Sequence, residues 1–182
     1  METMIESERL ILRKIAWADF AALCTFLQDI EVMYAWQNAF TDAEVWDWIE
    51  ENLVRYAHEG FSYFAAITKD TQALVGVVGP LREMVEDVPY IGVAYILNRR
   101  FWGKGYAVEA AKASVQYAFE ALNAEKVIAQ IRPDNLRSRK VAERLGMKVA
   151  GEFVKQYQGK SMRHLLYIVE RDEWIRMTGK LC

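Results

Sequence analysis

Ten nearly uniformly apolar residues, Val-Pro-Tyr-Ile-Gly-Val-Ala-Tyr-Ile-Leu at 88–97, run directly into a basic turn and a long amphipathic helix. A continuous apolar run of this length reads as a central strand rather than a half-wet one. The helical pattern covers residues 105–122. Its core stripe is Val108, Ala111, Val115, Ala118 and Leu122; its wet stripe is Glu109, Lys112, Gln116 and Glu120. A buried strand, a tight turn and an amphipathic helix confine the chain to a layered α/β architecture.

The other segments fit around that unit. Residues 9–14 read as a strand with basic ends, and 19–28 as a helix with Phe20, Leu23 and Leu27 on one face. Thr41 and Glu44 form a capping box, in which hydroxyl and carboxylate each satisfy an end amide. Val45, Ile49, Leu53 and Tyr56 follow at helical spacing, and Gly60 can close the helix in a left-handed conformation. Residues 61–68 and 73–78 read as a hairpin turning at 70–72, and 81–89 as an acidic loop. Residues 126–131 make a strand. Residues 135–145 make a helix, with Asn135 as N-cap and Gly146 as stop. Two strands, 148–157 and 164–170, and a short helix from Asp172 complete the chain. The expected fold is a mixed α/β (α+β) sheet, mostly antiparallel, with helices on its faces. No linker or repeat interrupts it, so a single domain over 1–182 is expected.

Composition narrows the function classes. Of 182 residues 53% are hydrophobic, enough for a full core, and the net charge is −2. With a pI near 5.8, nucleic acid drops as a partner. Cys24 and Cys182 form no CxxC pair, and with two histidines a structural zinc site is not expected. Nothing suggests a disulfide framework, so a reducing compartment is the default. The first residues lack a signal-peptide pattern, and no apolar stretch reaches the roughly 20 residues that span a bilayer. The expectation is a soluble cytoplasmic protein with no membrane partner.

The chemistry is expected at Arg99-Arg100-Phe101-Trp102-Gly103-Lys104-Gly105-Tyr106-Ala107. Two glycines one residue apart let the backbone turn tightly and approach a ligand closely. The helix start beyond them presents unpaired N–H groups with partial positive charge, which suits phosphate. Lys104 and the two arginines add countercharge. The spacing is not a P-loop, since the Lys-Ser/Thr end is missing, and it lacks the third glycine of a dinucleotide-binding fingerprint.

Arg100-x-x-Gly103-x-Gly105 followed by Tyr-Ala-x-Glu-Ala resembles the acetyl-CoA pyrophosphate loop of the GNAT N-acetyltransferase superfamily. Asn135-x-x-Ser138 and Leu145-Gly146-Met147 continue the resemblance. Ser7-Glu8-Arg9-Leu10-Ile11-Leu12-Arg13, with Leu166-Tyr167 and Glu173-Trp174, is similar to the branch containing the ribosomal-protein N-terminal alanine or serine acetyltransferases. The resemblance implies a GNAT fold, splayed between the strands at about 88–97 and 126–131. It implies acetyl-CoA as co-substrate, no metal, and transfer to a primary amine by direct attack in a ternary complex. The acceptor is then a protein N-terminus or a small-molecule amine, and a homodimer is compatible.

In its terms, the amides of Trp102, Gly103, Lys104, Gly105 and Tyr106 cradle the pyrophosphate, flanked by Arg100, Phe101 and Ala107. Tyr95, Ile96 and Leu97 pair their backbone with the pantetheine arm. Asn135 and Ser138 lie on the cofactor side, with Ser138 as the acid that protonates the leaving thiolate. Capping alone also accounts for Asn135, and capping or exposure for Ser138. The tyrosine acid common in the superfamily is replaced by Ala142, and the usual strand glutamate by Tyr90. Glu83, Glu86, Asp87 and His164 remain candidate bases, with attraction of a cationic substrate preferred for the acidic-loop carboxylates, a half-exposed structural reading for His164 and a surface position for His58. Glu109 reads as a helix-dipole partner, worth a few tenths to about 1 kcal/mol. Trp102 reads as a lid or cofactor contact. Trp36, Trp46 and Trp48 read as one wall of the acceptor pocket or as helix packing. The missing glutamate and tyrosine keep open a second function, a non-catalytic acyl-CoA-binding regulatory module.

Overall fold

A computed structural model describes residues 3–157 and 159–179, excluding the Tyr157 side chain; Cys182 lies outside them. The strands are β1 (Thr3–Glu6), β2 (Leu10–Lys14), β3 (Phe64–Thr68), β4 (Leu74–Val85), β5 (Val88–Leu97), β6 (Lys126–Ile131), β7 (Lys148–Tyr157) and β8 (Lys160–Glu170). The helices are α1 (Phe20–Leu27), α2 (Asp42–Glu59), α3 (Tyr106–Glu120), α4 (Leu136–Arg144) and α5 (Arg171–Thr178). The strands follow the order β1-β2-β3-β4-β5-β6-β8-β7. The β1–β2, β2–β3, β3–β4, β6–β8 and β7–β8 ladders are antiparallel, and β5–β6 is parallel. The mixed, mostly antiparallel sheet with helices is therefore the observed fold class.

The chain divides into two compact units. One takes in the described residues up to Gly79 with Tyr95–Ser114; the other takes Pro80–Ala94 and the described residues from Val115 on.

In the first unit β2 pairs with β3 from Leu10↔Thr68 to Lys14↔Phe64. Leu10, Leu12, Leu23, Phe26, Val45, Ile49, Phe64 and Val75 are fully buried. The α2 capping box forms as read: the Glu44 amide donates to Thr41 Oγ1 at 3.3 Å and the Thr41 amide to Glu44 Oε2 at 2.7 Å. Gly60 closes α2 at φ +83. The buried face of α2 uses Asn52 rather than Leu53. Asn52 is 2% exposed because its polar ends are matched: Nδ2 donates to Trp48 O at 2.7 Å and Oδ1 accepts from Ser62 Oγ at 2.7 Å.

In the second unit β8 pairs antiparallel with β6 and β7, covering Lys126↔Glu170 and Phe153↔His164. Val115, Phe119, Val127, Ile128 and Trp174 are fully buried, and Trp174 Nε1 donates to Gln116 Oε1 at 2.5 Å. Gln116 is thus not simply a solvated residue. The parallel β5–β6 ladder holds only at Ile91↔Val127 and Gly92↔Ile128, early in both strands. The expected splay takes that form.

Several boundaries differ from the sequence reading; β8, for one, begins at Lys160 rather than at residue 164. Residues 81–85 extend β4 rather than forming an acidic loop: Leu81 and Val85 are buried while Arg82 and Met84 are exposed, a period-2 pattern. The loop shrinks to Glu86 and Asp87, both at positive φ (48 and 64), as a two-residue hairpin turn of the primed type requires. β1 has no counterpart in the sequence reading, and β3 begins at Phe64 rather than at residue 61. Among the described residues, no helix is long and apolar enough to cross a membrane.

Candidate functional site

The strand-to-helix connection is held at both ends. Where β5 stops, Asn98 is 6% exposed and its amide donates to Val75 O at 2.9 Å. Its side chain caps the following single-turn helix, accepting from the Arg100 amide at 3.0 Å and donating to Thr25 Oγ1 at 3.0 Å. The Phe101 and Trp102 amides close that turn onto Asn98 O and Arg99 O, at 2.9 and 3.1 Å. The Trp102 indole donates to Leu97 O at 2.9 Å. Gly103 and Gly105 then adopt φ +75 and +83, bracketing Lys104. Side chains are strained in that region, which is why glycine stands at both positions. The first helical bond of α3 runs from the Glu109 amide to Gly105 O at 3.1 Å. The amides of Tyr106, Ala107 and Val108 precede it and have no helical acceptor. Among the described residues, no acceptor pairs with the amides of Gly103, Lys104 or Gly105 either. Successive amides of this kind make an anion-binding concavity.

Two expectations at this loop are corrected. The Trp102 amide serves the single-turn helix, so the available amides begin at Gly103. Arg99 is paired with Glu31 and, at 3.4 Å, with Asp29, which removes it as countercharge; Arg100 and Lys104 are exposed. Trp102 also has a structural partner in Leu97 O, more specific than a lid. Ile96 and Leu97 are 4% and 7% exposed, so their side chains are buried. Tyr95 and Phe101 are half-buried.

Arg9 was not among the expected site residues. Its amide and Nε donate to Glu109 Oε1 and Oε2, both at 2.7 Å, and its Nη1 donates to Lys104 O at 3.1 Å. Its guanidinium lies 4.5 Å from the Tyr106 ring centroid, a cation–π contact. Ser7 Oγ donates to Glu109 Oε1 at 2.8 Å. Glu109 is therefore not on a solvated stripe: its side chain is 15% exposed and clamped. Burial pushes its carboxyl upward, but the Arg9 amide, the Ser7 hydroxyl and the Arg9 guanidinium outweigh that and hold it below the ordinary carboxylate value. The signal was present in the sequence as Ser7-x-Arg9 and the Glu of Tyr-Ala-x-Glu-Ala, motifs that the fold joins.

In the second unit, Asn135 caps α4 as expected, accepting from the Ser138 amide at 3.1 Å. Ser138 is half-buried in the first turn. Ala142 is fully buried. Tyr90 is half-buried on β5. Of the candidate bases, Glu86 and Asp87 are the exposed turn, and Glu83 sits within β4, accepting from Gln130 Nε2 at 2.9 Å. His164 Nδ1 lies 3.0 Å from Met162 O and its ring stacks on Phe153 at 5.7 Å. Burial holds its pKa below the ordinary histidine value. His58 is exposed on α2. Trp46 stacks on Phe20 at 3.9 Å and Trp48 packs on Tyr63 at 5.4 Å, contacts that match helix packing. Trp36 is half-buried.

The sequence model of the acetyltransferase (GNAT) domain matches residues 9–148. The uncharacterized N-acetyltransferase YnaD of Bacillus subtilis is 30% identical over 152 residues, 83% of this chain and 86% of that protein. The crystal structure of a GNAT-family acetyltransferase from Bacillus anthracis gives a TM-score of 0.81 at 26% identity, covering 93% of this chain and 99% of the other. A ribosomal-protein-S5-alanine acetyltransferase from Vibrio fischeri shares the fold, with a TM-score of 0.73 at 23% identity over 93% and 97% of the two chains. The chain belongs to the GNAT acetyltransferase family, and it is an N-acetyltransferase of the kind that uses acetyl-CoA and acts on amine acceptors.

Proposed function

We propose that this enzyme transfers the acetyl group of acetyl-CoA directly to a primary amine within a ternary complex. The amides from Gly103 through Val108 receive the pyrophosphate, Arg100 and Lys104 supply countercharge, and the backbone of Tyr95, Ile96 and Leu97 receives the pantetheine arm. The observation that carries this reading is the pair of left-handed glycines at φ +75 and +83, opening onto unpaired amides at the head of α3. A strand N–H at the end of β5 can polarise the thioester carbonyl, and positioning supplies much of the remaining rate.

In the reaction the amine loses a proton and its nitrogen forms a bond to the acetyl carbonyl carbon. The carbon–sulfur bond breaks, and the leaving thiolate takes a proton. Ser138 is the proposed donor of that proton. Its support is its place three residues after the Asn135 cap, matching the family motif, together with the absence of a tyrosine at Ala142. Asn135 is proposed to serve the cofactor side while capping α4. A protein N-terminus is the favoured acceptor, since its α-amino group has a lower pKa than a lysine side chain and needs less help to ionise. The similarity to a ribosomal-protein-S5-alanine acetyltransferase points the same way.

Free-thiol release tests the reading. The protein is incubated with acetyl-CoA and a panel of amines that includes peptides beginning with Ala or Ser. Acceptor-dependent thiol release is expected. Tight acetyl-CoA binding with no release for any amine would instead establish a non-catalytic acyl-CoA-binding module.

A further inference from the structure

Two tryptophans of the first unit stand in solvent. Trp17 is 48% exposed in the single turn that leads into α1, and Trp46 is 40% exposed on α2. Their ring centroids lie 5.7 Å apart at 40°. Phe20 of α1 stacks on Trp46 at 3.9 Å, 2° from parallel. The stack fixes the Trp46 ring in advance, so little side-chain freedom is left to lose on binding. Further along α2, Val54 is 50% exposed. At helical spacing Ala43, Trp46, Glu50, Val54 and Ala57 share one side of α2, and all five are exposed. Exposed tryptophans on a polar-rimmed apolar face mark an interaction surface.

The rim is acidic. Asp42 and Glu50 lie one turn before and after Trp46, and Asp47 follows it directly; all three are exposed. Gln28 Nε2 donates to Asp42 Oδ1 at 2.6 Å, and among the described residues none of the three carboxylates has a cationic partner. Asp42 stands in the first turn of α2, where it serves the helix dipole. Asp47 and Glu50 lie beyond that turn, so the dipole gives them no role. The cations of α2 sit toward its other end: Arg55 bridges Glu51 at 3.2 Å, and His58 is in the last turn. Among the described residues no side-chain cation stands over either indole.

We propose that this face docks an arginine- or lysine-rich segment of a partner protein. A cationic head settles on the Trp17–Trp46 pair, its attraction to the rings reinforced by Asp42 and Glu50. A second cation meets Asp47 or Glu50, and its apolar stem lies along Val54. Trp46 and Val54 are about 12 Å apart at the helical rise, a span that an extended polypeptide of about four residues covers and a compact organic cation does not. The same carboxylates repel the phosphates of nucleic acid and of anionic lipid. Docking of this kind needs no acetyl-CoA and no turnover.

Fluorescence anisotropy of a dye-labelled, N-acetylated peptide alternating arginine with alanine tests this on the full chain. The same peptide with glutamate for arginine is the control, and the blocked terminus keeps either from serving as an amine acceptor. The arginine peptide should bind, the glutamate peptide should not, and added salt should weaken the complex. Trp46→Ala should weaken it about tenfold or more, as at the centre of an interface. That change also removes the Phe20 stack, so the surface double variant Asp47→Lys/Glu50→Lys is measured beside it. The double variant should keep the wild-type melting midpoint and still lose about tenfold or more in affinity. No binding by the wild type, equal binding of the glutamate peptide, or wild-type affinity in D47K/E50K overturns the proposal. Self-association in sedimentation that Trp46→Ala abolishes also overturns it, by giving the face to a second copy of the chain.

Discussion

Arg9 and Glu109, one hundred positions apart in the chain, meet through a doubled contact, Nε and Nη2 on Oε2 at 2.7 and 2.6 Å. The pair ties the start of β2 to the first turn of α3, and a further Arg9 bond to Lys104 O fixes the glycine turn itself. Removing either side chain takes away the charged partner, leaving Glu109 with the Ser7 hydroxyl and the residue 9 amide, or Arg9 with Lys104 O. Glu109→Gln is expected to destabilise the fold by about 1–3 kcal/mol, the range for losing charged hydrogen bonds to a partly buried group. Arg9→Ala is expected to raise KM for acetyl-CoA severalfold with little change in kcat. Thermal unfolding and steady-state kinetics of the two variants check both outcomes.

The same contact predicts a pH dependence. The folded-state pKa of Glu109 lies below its ordinary value of 4.5, because its hydrogen bonds and Arg9 outweigh the upward push of burial. The stability it adds is complete above the unfolded-state value and is lost as pH falls through the lower folded-state value. Midpoints measured from about pH 6 down to pH 3 should fall less steeply for Glu109→Gln than for the wild type. Parallel curves would contradict this.

Asn135 and Ser138 should separate cleanly. Asn135→Ala removes the acceptor for the Ser138 amide and is expected to cost about 0.5–2 kcal/mol of stability. Ser138→Ala keeps that amide and its bond, so turnover should fall while acetyl-CoA affinity stays put. Unchanged turnover in S138A would remove the hydroxyl from the chemistry.

Gly76 is a packing requirement. A Cβ there would lie 2.4 Å from Ile96 O and 2.8 Å from Leu97 Cα. Gly76→Ala must therefore push the end of β5 away, at about 1–3 kcal/mol or more. Denaturant midpoints measure it.

What was legible in the sequence was local. The Thr41–Glu44 box, the Asn135 cap and the left-handed glycines at 60, 103 and 105 each depend on residues within a few positions, and each stands where its residue types placed it. Composition points to a loop near 81–89 because Arg82, Glu83, Glu86 and Asp87 dominate it; the alternation of Leu81 and Val85 with exposed neighbours is the better signal. Asn52 was overlooked because a buried amide is recognised only once Trp48 and Ser62 are known to satisfy it. The Arg9 clamp and the Glu83–Gln130 bond join separate strands and helices, so no spacing rule within one segment reveals them.

The central claim is that the glycine turn at the head of α3 grips the two phosphates. Calorimetric titration of the wild type and Gly103→Val, each with acetyl-CoA and with S-acetylpantetheine, which lacks the pyrophosphate, tests it most directly. A Cβ at Gly103 meets nothing within 4 Å, so the substitution acts through the backbone rather than by collision. The wild type should bind acetyl-CoA far more tightly than S-acetylpantetheine, and most of that difference should vanish in G103V. Equal affinities for the two ligands in the wild type, or an undiminished difference in G103V, would contradict it.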